Sequence, residues 1–183
     1  MLNTKYIIRR LENGPVAIPN PGALGNAWFV KEIKMVENAD EEILSLENFE
    51  PSDTVIIDKR FAEHLAAFKM EYDTASYIRL TEYKPNMLTY ESFATKPQLA
   101  VFSEIYYEPG WEVKVNEKDS QHFRANYILR AMIVPEGKNT IVFEFKPKSF
   151  FMGQKISLVS SIILVLFLFI SLFISFKSKL LKQ

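Results

Sequence analysis

Two patterns divide the chain: short β-rich runs separated by turn residues over the first 145 or so positions, and one unbroken apolar run near the end. Lys5–Arg10 is β-branched and aromatic, and Glu12-Asn13-Gly14 after it offers a tight turn, because Asn-Gly tolerates positive φ. Val16–Pro19 is bounded by prolines and is at best an edge strand. Ala27–Val36 alternates weakly and reads as one strand. Asn38 or Asp40 can cap a helix over Glu41–Leu46, whose first turn is acidic. Thr54–Ile57 reads as a strand, and Phe61, Leu65 and Phe68 predict a second short helix over Arg60–Met70.

From Ser76 onward, strands recur at short intervals: Tyr77–Tyr83, Met87–Phe93, Leu99–Tyr107, Trp111–Val115, Tyr127–Val134 and Thr140–Lys146. Pro, Gly and Asn punctuate the gaps, so an antiparallel sandwich of two packed sheets is expected. The fold class is mainly β with some α (α+β). A small mixed α/β subdomain (1–75) precedes the β-sandwich (76–150), a juxtamembrane stretch (151–155), a transmembrane helix (156–176) and a basic tail (177–183).

Ile156–Phe176 contains sixteen Ile, Leu, Val or Phe, five Ser and no charge. As a helix rising about 1.5 Å per residue it spans about 31 Å, the thickness of a hydrocarbon core. Its serines can return their hydroxyls to helix carbonyls. A buried core helix is the competing reading, but this run has no polar face to turn toward water. Lysines flank both ends, so the positive-inside rule decides no orientation. Met1–Arg10 is too polar for a signal peptide.

Composition removes several classes of function. The chain has no cysteine, so thiolate metal sites and cysteine nucleophiles are excluded. His64 and His122 lie far apart in sequence and form no local metal motif; no metal and no cofactor is expected. Setting aside Lys177, Lys179 and Lys182, the 22 basic and 22 acidic residues leave an acidic excess of three, which argues against nucleic acid as a partner. No phosphate loop or serine elbow occurs, and Asp53 and Asp58 pair only if folding joins them. Aromatics are abundant, with 15 Phe and 8 Tyr. Trp28, Tyr106, Tyr107 and Trp111 lie near Pro-Gly turns and are candidate contacts for a glycan; packing between the sheets is the alternative. Arg124 and Arg130 are candidates for anion binding or for cross-strand ion pairs.

Three stretches, Asn20–Val30 (NPGALGNAWFV), Leu99–Trp111 (LAVFSEIYYEPGW) and Arg124–Pro135 (RANYILRAMIVP), taken in this order before a final strand and helix, resemble the C-terminal end of the YfhO family. These are multi-pass bacterial membrane proteins similar to GT-C glycosyltransferases. The resemblance implies a soluble part outside the cytoplasm, retained at the bacterial cytoplasmic membrane by the last helix. It also implies a role accessory to moving sugars from lipid-linked donors onto envelope glycans. The partners implied are the lipid bilayer, an envelope glycan and the multi-pass portion that this chain lacks. No catalytic residue carries over, because the family's catalytic loop has no counterpart here, and the chain reads as a truncated product or a terminal piece. The alternative is an independent membrane-anchored β-sandwich that binds a protein or glycan.

Overall fold

A computed structural model describes residues 1–11 and 14–180, with side chains followed to Ile174. It divides into two units, Met1–Phe145 and Lys146–Gln183.

The first unit opens with a hairpin of β1 (Tyr6–Leu11) and β2 (Gly14–Pro19), in register from Tyr6 opposite Pro19 to Leu11 opposite Gly14. Gly14 sits at φ 111°, a conformation open to glycine at little cost. Glu12 and Asn13, the rest of the expected turn, lie outside the described residues.

The single strand expected over 27–36 is two strands, β3 (Ala27–Phe29) and β4 (Glu32–Val36), because the chain changes sheets between them. Strand β4 runs parallel to β5 (Thr54–Asp58), and α1 (Ala39–Ser45) lies in the crossover, as parallel pairing requires. Asn38 caps α1, accepting from the Glu41 backbone N–H at 3.0 Å. The second short helix, expected over Arg60–Met70, is a 3₁₀ helix over Lys59–Leu65. So short a segment gains little from its own helical bonds. Phe61 and Leu65 of this helix, and Phe68 just beyond it, pack against the neighbouring core.

Eight strands follow: β6 (Tyr77–Lys84), β7 (Met87–Ala94), β8 (Gln98–Ile105), β9 (Trp111–Val115), β10 (Lys118–Ser120), β11 (Phe123–Ala125), β12 (Leu129–Val134) and β13 (Gly137–Phe145). They form an antiparallel five-stranded sheet, β10-β9-β13-β7-β6, and an antiparallel four-stranded sheet, β11-β12-β8-β3. The mainly β, α+β class expected from the pattern is what the chain adopts. Strand β3 lies on the N-terminal side of position 75, yet it is hydrogen-bonded to β8 within the sandwich.

The four-stranded sheet is buried on both faces. Toward the five-stranded sheet, Ala100 and Phe102 join Tyr90 and Phe143, whose rings meet edge to face. Toward the β4–β5 pair, Leu99 and Val101 join Trp28, Val55, Ile57 and Phe123. Two polar residues fasten that second layer. Asn126 gives its backbone N–H to the Ile56 carbonyl and accepts the Ile56 N–H on its side chain, both at 2.8 Å. Glu42, wholly buried, accepts from Arg124 at 2.6 Å and from the Tyr127 N–H at 2.8 Å.

The second unit is α2 (Lys148–Leu180). Its stretch Lys148–Ile174 is long and apolar enough to cross a membrane. Ser160 and Ser161 donate to the carbonyls of Ile156 and Ser157 at 2.9 Å, which satisfies their hydroxyl donors within the helix.

Candidate binding cleft

A cleft of about 640 Å³ opens where the 3₁₀ helix meets the end of β8 and the β9–β10 hairpin. Asn116 and Glu117, both with positive φ, make the tight turn that folds β10 back on β9 and brings Asp119 and Ser120 to the opening. Tyr106, Trp111, Phe61 and His122 supply ring surface, and Glu63, Glu108, Glu112 and Asp119 supply carboxylates.

The rings are held in place. The Arg130 guanidinium stacks 4.1 Å from the centroid of Trp111, and Phe145 flanks the same indole at 5.3 Å. Arg130 is 3% exposed, donates from Nε to the Ile105 carbonyl at 3.0 Å, and has its pKa lowered chiefly by burial. His122 packs edge to face against Tyr106 and Phe143, and its Nε2 lies 3.3 Å from the Trp111 carbonyl. A carbonyl only accepts, so Nε2 carries the proton and Nδ1 is the bare acceptor. That Nδ1 is buried without a partner among the described residues.

Burial pulls the His122 pKa below its ordinary 6.5; the nearby Arg130 and His64 add to this, while the hydrogen bond to Trp111 and the charge of Glu108 oppose it. The folded protein therefore binds fewer protons here than the unfolded chain. Stability from this group is complete above the unfolded value and declines as pH falls through it toward the folded one. The thermal midpoint of wild type is expected to fall more than that of His122→Gln between about pH 7.5 and about pH 5.5. Parallel slopes would show that His122 does not titrate with unfolding.

Of the four aromatic candidates, the fold brings Tyr106 and Trp111 together at the cleft. Trp28 is corrected: it is packed in the second core layer at 9% exposure, with its indole N–H given to the Pro51 carbonyl at 2.7 Å, and offers no free ring face. Tyr107 is 54% exposed but is not among the residues lining the cleft. Arg124 makes ion pairs, though not across a sheet: Glu42 of α1 lies at 2.6 Å and Asp58 of β5 at 3.5 Å. Asp58 is also held by Arg60 at 2.6 Å, whose hydrogen bond is the main cause of its lowered pKa, while Asp53 pairs with Lys31 at 2.7 Å. These two aspartates are committed to separate cations and make no acid/base couple. Both histidines, 58 positions apart, line the cleft. His64 stacks on Phe123 and lies 3.2 Å from the Gln121 side-chain oxygen. Sequence reasoning missed His122 as a wall of the site and Arg130 as the support of Trp111. The one available signal was that both lie in strand-rich surroundings where a lone polar residue must find a partner.

A β-sandwich joined to a helix able to span a bilayer defines the class: a membrane protein with a folded part outside the lipid. The family model described as "Bacterial membrane protein YfhO" matches residues 61–157, more than half of the chain, and the chain belongs to that family. It is similar to the Bacillus subtilis (strain 168) protein named "Uncharacterized protein YfhO", with 31% identity over 86 residues. The match covers 47% of this chain and 10% of that relative, so the matched segment spans about a tenth of the relative's length. No solved structure matches the chain.

Proposed function

We propose that this chain is the extracytoplasmic C-terminal part and last membrane helix of a YfhO-family protein, and that it holds an acceptor glycan during transfer of sugars from lipid-linked donors. The observation that carries this reading is the pairing of Tyr106 and Trp111 with several carboxylates in one open cleft. Apolar sugar faces stack on aromatic rings, and sugar hydroxyls donate to carboxylates. Its volume of about 640 Å³ lies within the range of small-molecule sites. The carboxylate rim favours neutral or amino sugars over anionic ones. The cleft's work is binding; the bond-breaking step belongs to the larger protein.

Full-length chain in detergent micelles, titrated with neutral oligosaccharides, is expected to report binding through its tryptophan fluorescence. Trp111→Ala, shown to remain folded by circular dichroism, should weaken affinity at least roughly tenfold, the effect of losing a central aromatic contact. Unchanged affinity would remove Trp111 from the site, and no binding by any oligosaccharide in the wild type would remove the reading.

A further inference from the structure

The β1–β2 hairpin carries apolar side chains that this chain leaves uncovered. Every residue of β1 is exposed, and in β2 all but Gly14. Tyr6 and Ile8, at 62% and 76% exposure, share one face by register; Ile7, Leu11, Val16 and Ile18 share the other. An isolated two-stranded hairpin is marginal in water, and both of its faces invite burial. Covering only one face would leave the other wet. An interface that takes in the whole hairpin suits it better.

Charge selects that interface. Lys5, Arg9 and Arg10 stand against Glu12 alone in the first thirty residues, whereas the whole folded part carries an acidic excess. Arginine and lysine with apolar and aromatic neighbours are the composition of a membrane-surface segment, with stems in the acyl boundary and charges at the headgroups. Pro15 and Pro19 remove two N–H donors from β2, which lowers the cost of placing its backbone there. In sequence, only Lys146 and Pro147 separate β13 from α2.

We propose that the β1–β2 hairpin docks on the surface of an anionic lipid bilayer, as a second membrane contact beside α2. This does not rest on the glycan-binding reading, and either can fail without the other.

The chain has no cysteine, so a single Ala17→Cys change, opposite Ile8, accepts one environment-sensitive fluorophore. Full-length protein is reconstituted into phosphatidylcholine vesicles, or into equal parts phosphatidylcholine and phosphatidylglycerol, with and without brominated acyl chains. The same label placed by Lys118→Cys on exposed β10 serves as reference. Expected are a blue shift and bromine quenching at position 17 in the anionic vesicles only. Arg9→Gln with Arg10→Gln should lower the docking equilibrium roughly thirtyfold, as the loss of two surface charges would. Three results would overturn the proposal. These are no difference from the β10 label, quenching indifferent to both lipid charge and the arginines, or a blue shift without bromine quenching. The last would mean that protein, such as a second copy, covers the hairpin.

Discussion

Glu42→Ala is expected to destabilise the Met1–Phe145 unit by about 3 to 5 kcal/mol, the cost of breaking a buried ion pair from one side. Glu42 is wholly buried and accepts two hydrogen bonds, one from the Arg124 guanidinium and one from the Tyr127 backbone. Its removal leaves both donors buried without that acceptor, and Asp58, at 3.5 Å from Arg124, is already engaged by Arg60. The loss also falls at a joint, because α1 reaches the sandwich through this carboxylate. Glu42→Gln keeps an acceptor for the Tyr127 N–H and should cost less. Urea unfolding of the two variants and wild type measures this directly. A Glu42→Ala midpoint within error of wild type would mean that Glu42 does not bind the helix to the sheet.

The second large effect concerns α2. Sixteen apolar residues in Ile156–Phe176 favour insertion by roughly 5 to 10 kcal/mol in sum, at about 0.3 to 0.6 each near the centre. Leu164→Arg together with Leu168→Arg adds about 5 to 7 kcal/mol of opposing cost, enough to erase most of that preference. The variant is expected to leave the membrane fraction under alkaline carbonate, whereas wild type and a control with Leu164→Phe and Leu168→Phe stay. Retention of the double-arginine variant as tightly as wild type would deny that the bilayer is what this helix inserts into. Peripheral contact through the hairpin would not survive carbonate, so the two membrane contacts separate cleanly.

Some elements announced themselves because their causes are local. The alternation of Val113 and Val115 with Glu112 and Lys114 marks β9 as half-buried, and so it is. The Asn38 cap with acidic residues after it marks α1, and the uncharged run marks α2. Other elements depended on distant partners. Val30 and Lys31 look like the middle of a strand, but the Asp53 carbonyl takes the N–H groups of Lys31 and Glu32 and turns the chain into another sheet. Strands β10 and β11 are three residues long and partly charged, too short to show a period. The continuous apolar run of β8 comes from burial on both faces, which no one-sided pattern can reveal.

The candidate cleft was half legible. Tyr106 and Trp111 stand out as aromatics beside a Pro-Gly turn, and both line the cleft. Trp28 looked equivalent and is not, because β3 is an edge strand of the inner sheet and turns its indole under the β4–β5 layer. His64 and Arg60 reach the cleft from the 3₁₀ helix, and only the docking of that helix brings them there.

By itself the sequence determined the β-rich class, a helix long and apolar enough to span a membrane and the absence of thiol chemistry, since hydrophobic period, length and composition act at short range. The tertiary structure alone decided which strands share a sheet, which aromatics face solvent and which carboxylate is sealed beneath α1. Those outcomes depend on contacts between residues tens of positions apart, where burying one face of a strand settles what its other face must meet.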